Sequence, residues 1–363
     1  MNERLVQDLE QAEVQTENVK CSGCGSNMVF NPETQTLICN HCGNKKEFGT
    51  GAVSGEFDLS EGLFSSPKWS AEEAVVFECE NCGAKVVLEG GQSATDCPFC
   101  GTAHVRKSCE LAGIKPHAVI PFAFSQERAF ELSKAWAKKR LYAPRAFKKN
   151  LKAQNVKGVY TPCFTFDSTT FSYYEARIGQ TRTRTVGSGK NRHTQTYVVW
   201  RNVSGTFQYR FDDVLITAGS KFDQNKLDSV APFDTNNAKK FEENYLLGFM
   251  AYHYDCELQD CWTEAKVKID ASLKRKILSQ YSYDKISYFN VSTTHSDLSY
   301  KYAMLPVYVG NFNFKKKLYN FFVNGSTGKV AGKTPKSPLK IFLTVLFGVA
   351  FVAFFIWLIM NGG

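Results

Sequence analysis

From Ile341 to Met360 the chain carries no charged residue. At ~1.5 Å per residue, about twenty helical residues span ~30 Å, the thickness of a bilayer's hydrocarbon core. Leu, Ile, Phe and Val occupy every side of the helical wheel there, whereas a core helix keeps a polar stripe. The pattern therefore predicts a transmembrane helix over 341–360. Each such residue favours insertion by about 0.3–0.6 kcal/mol, and nothing in the run opposes it strongly. Lys333, Lys336 and Lys340 precede the run, and only Asn361-Gly362-Gly363 follow. The positive-inside rule then places the bulk of the chain in the cytoplasm, as a single-pass, tail-anchored protein of the cell membrane. Pro335 and Pro338 make the approach a stiff, non-helical spacer.

Upstream, the periodicity changes several times. Leu5, Leu9 and Ala12 share one side of a short helix expected over 1–18, with acids elsewhere. Residues 49–76 are rich in Gly, Ser and acids and are expected to be a mobile linker. A body follows over 114–332. Ala129, Phe130, Leu132 and Trp136 predict a helix from Ser125 to Arg140. Val159–Arg177 and Thr194–Ile216 are long, aromatic and β-branched; joined by Gly187-Ser188-Gly189-Lys190-Asn191, they predict a long hairpin. Helices are expected at Asn236–Met250 and Asp260–Gln280, and strands at Lys285–Val291, Lys301–Phe312 and Lys317–Val323. Segregated helices with antiparallel strands make an α+β fold.

The cysteines add chemistry to this outline. Cys21, Cys24, Cys39 and Cys42 form Cys-x2-Cys-x14-Cys-x2-Cys, and Cys79, Cys82, Cys97 and Cys100 repeat it. A Cys-x2-Cys knuckle turns both sulfurs to one side, and two knuckles joined by a hairpin complete a tetrahedral S4 site. Gly25, Gly43, Gly83 and Gly101 follow the second cysteine of each pair, where the knuckle needs a positive φ. Two zinc ribbons are expected, over 19–48 and 77–108, each holding one structural Zn2+ with no open coordination position. Iron is the rival metal, because Cys97-Pro98-Phe99-Cys100-Gly101 also suits a rubredoxin-like knuckle. His41 is read as an exposed knuckle residue, and Cys109, Cys163, Cys256 and Cys261 as buried thiols without metal spacing. Met1 to Val14 has no apolar signal-peptide core, so a secreted disulfide scaffold is excluded.

A net charge of +9 over 363 residues suits an anionic surface without choosing one. The N-terminus is acidic, with Arg4 against Glu3, Asp8, Glu10, Glu13 and Glu17. Every charged residue from Lys134 to Lys157 is basic, as is every one from Arg177 to Arg201. Solvated faces, anionic lipid headgroups and nucleic acid all remain open for these two stretches. No phosphate-binding loop is present: Thr327 stands where the first glycine before Gly332-Lys333-Thr334 would be needed, and Pro335 follows. G-x-S-x-G, H-E-x-x-H and paired-carboxylate patterns are also missing, so the chain is read as no enzyme.

The chain resembles the bacterial transcription factor IIB-type zinc-ribbon membrane proteins, often labelled primosomal helicase-like. Beyond the ribbons, the resemblance rests on Gly158-Val159-Tyr160-Thr161-Pro162 with Phe164-x-Phe166-Asp167, on Leu305-Pro306-Val307-Tyr308, and on the run from Leu318 to Val330. It implies two ribbons, a body and a membrane helix, and it implies no defined activity. The reading that follows is a non-enzymatic adaptor that docks cytoplasmic proteins at the membrane, in envelope stress or membrane organisation. A membrane-associated nucleic-acid-binding protein is the alternative. The ribbons' mixed charge favours the first: Lys45, Lys46 and Lys85 stand against Glu33, Glu47, Glu78, Glu80 and Glu89.

Overall fold

A computed structural model describes residues 19–49, 51, 55–65, 75–82, 84–88, 97, 99–100, 105–108, 114–149, 151, 156–314 and 317–361. The helix expected over 1–18 lies outside them, as do Gly83, Gly101 and Cys109. The α+β architecture is as expected, with antiparallel pairing dominant and one long apolar helix closing the described chain.

The first ribbon is a small sheet of its own: β1 (Met28–Asn31), β2 (Thr36–Cys39) and β3 (Lys45–Lys46), paired in that order. The segment expected to be a mobile linker contains β4 (Phe57–Asp58) and helix α1 (Leu59–Ser65). Asp58 starts that helix, its Oδ1 accepting the Ser60 backbone N–H at 2.8 Å. The second ribbon supplies β5 (Val75–Cys79), β6 (Lys85–Leu88) and β7 (Val105–Ser108). After β8 (Ala118–Val119) come α2 (Gln126–Lys138) and α3 (Arg145–Lys149).

The frame of the body is the hairpin β9 (Val156–Val186) and β10 (His193–Thr217). Its register runs from His193↔Val186 to Thr217↔Cys163, with a bulge between Phe211 and Val214. Next come α4 (Gln224–Val230), β11 (Lys239–Lys240), β12 (Met250–Tyr252) and α5 (Leu258–Leu278). The sheet is completed by β13 (Lys285–Phe314), β14 (Lys317–Asn324) and β15 (Val330–Gly332), and α6 (Pro338–Asn361) follows. β13 joins what the sequence presents as two strands. The polar run between them stays paired with β9, across a bulge between Ser296 and Ser299.

Helix α5 covers one face of the three long strands. Cys261, Trp262, Ala265, Ile269, Leu273 and Ile277 are buried at three- and four-residue spacing. Each large aliphatic residue buried this way contributes about 1.5–3 kcal/mol. Trp262 meets the Phe166 ring at 5.5 Å, and beyond the helix the Tyr281 hydroxyl lies 2.5 Å from that of Tyr174. Strand β4 pairs with β13 at Tyr300↔Phe57, so the supposed linker is built into the body there.

The helix expected over Asn236–Met250 is not formed. Single turns, β11 and β12 take its place. Phe241, Tyr245 and Phe249 recur with helical spacing, but neighbours claim the backbone: Phe241 N–H donates to His117 O at 3.0 Å and Leu247 O accepts from Phe30 N–H at 2.9 Å. Met250 and Ala251 pair in parallel with β9. Tertiary partners outcompete the local helix because each backbone donor and acceptor can be used once.

Candidate metal centre

The two four-cysteine sets assemble as the spacing requires. Within each set the four sulfurs lie within 4.8 Å of one another. In the first ribbon Cys21 Sγ stands 3.4 Å from Cys42 Sγ, and Cys24 Sγ 3.4 Å from Cys39 Sγ. In the second, Cys79–Cys100 and Cys82–Cys97 are each 3.6 Å apart. A tetrahedron with Zn–S bonds of ~2.3 Å has edges of ~3.8 Å, so both sets fit a four-coordinate ion.

Local backbone chemistry sets this geometry. The Gly25 N–H donates to Cys21 O and the Gly43 N–H to Cys39 O, each at 2.8 Å, closing the two knuckles of the first ribbon. Both glycines take positive φ, 71° and 75°, as anticipated. Cys21 Sγ accepts from the Gly23 N–H at 3.4 Å and from Asn44 Nδ2 at 3.6 Å. Such donors favour the thiolate that a metal needs.

Proton affinities within the sets are split. Cys24 is drawn down to about 6 by the Ser26 hydroxyl and backbone N–H, with Cys39 and Cys42 adding to the effect. Cys42 is pushed up to about 12: the Asn44 N–H favours its thiolate, but hydrogen bonds with Cys21 and Cys24 outweigh that. Burial lifts Cys82 to about 11 and raises Cys97 further. Four crowded sulfurs without a cation cannot all ionise, and a divalent ion removes that conflict.

Both ribbons are seated on one strip of the body, Tyr245 to His253. Phe30 of the first ribbon packs edge-on against Tyr245 at 5.3 Å and approaches Phe249 at 6.3 Å. Gln35 Nε2 donates to Phe122 O at 2.8 Å. In the second ribbon β6 pairs with β12 at Ala251↔Val87 and Tyr252↔Val86, and the His253 N–H donates to Lys85 O at 3.0 Å. Phe99 packs on Tyr252 at 5.2 Å, and its carbonyl accepts from Asn320 Nδ2 at 3.3 Å. The outer knuckles face solvent, with Cys24 and Cys42 exposed while Cys21 and Cys39 are buried. His41 is exposed and outside the sulfur set, as expected.

Of the other thiols, Cys163 and Cys261 are buried and Cys256 is half-buried. Burial pushes all three upward, and none joins a metal-like cluster among the described residues.

Sequence reasoning missed a carboxylate cluster, Glu56, Asp167 and Asp212. Bulges in β10 and β13 flank Asp167 on both sides. Its Oδ1 accepts the Asp213 N–H at 2.7 Å. Lys301 Nζ lies 3.3 Å from Glu56 and 3.5 Å from Asp213. Burial, then the hydrogen bond to Glu56, lifts Asp167 to about 7, while that hydrogen bond holds Glu56 near 2. The pair thus shares one proton, with Lys301 as its counter-charge. The available signal was a lone acid, Asp167, ending an otherwise apolar strand segment.

Residues 17–47 match the model of a zinc ribbon domain family. The chain is also similar to the "Uncharacterized protein YdjG" of Bacillus subtilis (strain 168). That likeness is 28% identity over 352 residues, covering 95% of this chain and 98% of that protein. No solved structure is matched. The first ribbon is thus a zinc ribbon by likeness as well as by geometry.

Proposed function

We propose that the chain is a membrane-anchored, non-enzymatic adaptor. In this reading α6 crosses the membrane, the body stands in the cytoplasm, and the ribbons hold two structural zinc ions and dock cytoplasmic proteins. The observation that carries the reading is the pair of closed four-sulfur sites seated side by side on one strip. Four protein ligands leave no position for chemistry, so each site offers a fixed shape instead.

The exposed knuckle of the first ribbon carries His41, Lys45, Lys46 and Glu47, a mixed set that suits a protein partner better than a polyanion. The window Pro338–Trp357 has mean hydropathy 2.5 and none of it is buried, which suits a span rather than a core helix. The resemblance to transcription factor IIB-type zinc-ribbon membrane proteins agrees with this architecture.

The test is crosslinking in intact membranes, comparing the wild type with Lys45→Glu/Lys46→Glu, whose metal ligands are untouched. Ribbon-dependent partners should disappear while zinc content stays the same. An unchanged partner list would move the docking surface to the body. A second reading has one observation behind it: Arg177 lies over the Trp200 ring at 5.8 Å and Arg184 over Tyr197 at 5.5 Å, an aromatic and basic hairpin of the kind that stacks single-stranded nucleic acid. Co-purifying nucleic acid with steep salt dependence would favour it.

A further inference from the structure

The loop between α2 and α3 is tied to the first turn of α6. Three successive carbonyls take part: Leu141 O and Ala143 O accept from Lys340 Nζ at 3.1 and 2.7 Å, and Tyr142 O accepts from the Ser337 N–H at 2.8 Å. Lys340 is the last charge before the apolar run, so it marks the depth at which the hydrocarbon begins. A loop hydrogen-bonded to it shares that depth.

The loop is also fixed from the body side. Phe147 is buried and meets Phe312 edge-on at 5.1 Å, and Lys148 Nζ donates to Lys138 O at 2.9 Å, joining α3 to the end of α2. What remains outward is amphipathic. Leu141 is 67% exposed and Tyr142 37%, beside Leu339 at 67%. Lys138, Lys139, Arg140, Arg145 and Lys149 surround them, all exposed, with no acid in that stretch of chain. In water, such a cluster strands a leucine and concentrates like charge. At a bilayer surface the leucine and tyrosine enter the headgroup layer, and the cations meet lipid phosphates.

We propose that the α2–α3 loop is a second membrane contact, a binding surface for anionic phospholipid headgroups beside the head of α6. The proposal rests on α6 spanning the bilayer. It assigns a role to the first basic stretch and none to the second, whose residues make no described contact with α6. Each basic side chain at an anionic surface shifts the docked population about fivefold. Held next to the span, the loop fixes how the body and its ribbons stand over the membrane.

The test uses the full chain carrying a photo-crosslinking phenylalanine analogue at Leu141, in nanodiscs of phosphatidylcholine alone or mixed equally with phosphatidylglycerol. A second variant carries the analogue at Val349, within α6, as a report on the span itself. Expected are lipid adducts at both positions and, at Leu141 alone, an excess of phosphatidylglycerol adducts. Arg145→Glu/Lys149→Glu should lower that excess by about fivefold for each residue changed, with zinc content unchanged. Should that variant misfold, Arg145→Gln/Lys149→Gln gives the same comparison. Adducts at Val349 without any at Leu141 would leave the span standing and overturn the proposal. No adduct at Val349 would remove the span and the proposal together. Adducts at Leu141 without preference for the anionic lipid would refute headgroup binding.

Discussion

Phe30→Ala tests how firmly the first ribbon is held. Phe30 is 3% exposed and divides its contacts between its own ribbon, at Phe48, and the body, at Tyr245 and Phe249. Truncating a buried phenylalanine costs about 3–5 kcal/mol. The part falling on Phe48 weakens the ribbon internally, which leaves about 2–3 kcal/mol for the seam with the body. The Phe30 N–H donates to Leu247 O across that seam, so its hydrogen exchange reports local opening. A loss of that size accelerates exchange at Phe30 by roughly 30- to 200-fold, while the metal site, built from four sulfurs elsewhere, keeps its ion. The assay is hydrogen exchange by mass spectrometry on the full chain, with metal analysis of the same sample. Acceleration below about threefold would refute the seam as a significant attachment. Loss of one equivalent of zinc would show that Phe30 supports the ribbon from within instead.

Metal analysis of purified protein should find two zinc ions per chain, and Cys24→Ser should reduce this to one. Asp167→Asn should flatten the pH dependence of stability. The raised affinity of Asp167 costs stability as pH rises from about 4 to 7, and the lowered one of Glu56 costs stability as pH falls from about 4.5 to 2. The wild type should therefore be most stable near pH 4–5, and the variant should lose less, on the order of 2 kcal/mol less, by pH 8 in chemical denaturation. At Gly310 a Cβ would lie 2.0 Å from the Phe321 ring, so Gly310→Ala should destabilise by about 1–3 kcal/mol in the same assay. Removing residues 336–363 should move the chain from the membrane to the soluble fraction, and retention resistant to salt would contradict the anchor reading.

Local chemistry was legible in the sequence and long-range pairing was not. The knuckles, the β9–β10 hairpin and the stripe of α5 follow from spacing within a few residues, and the structure forms each where expected. The strip from Tyr245 to His253 misled because its aromatics repeat like a helix. They do so to serve two ribbons and a strand edge, partners far away in the chain. Residues 57–65 looked like linker because a short strand and helix carry little pattern of their own, and their stability comes from β13 and α5. Glu56 and Asp167 could not be paired from sequence, since only the bulges bring them together. The two basic stretches were indistinguishable by composition, and the hydrogen bonds to Lys340 separate them.

The shared strip couples the two metal sites energetically. The first ribbon holds Leu247 and the second holds Ala251 to His253, in one short stretch of backbone. An ion bound in either ribbon stabilises the strip in the conformation that the other ribbon also needs. Linkage makes this reciprocal: whatever factor one ion adds to the affinity for the second, the second returns to the first. With a coupling of about 1–3 kcal/mol, zinc would be taken up and lost cooperatively, so that under a chelator singly loaded chains would be scarce and the two ribbons would come apart as one event.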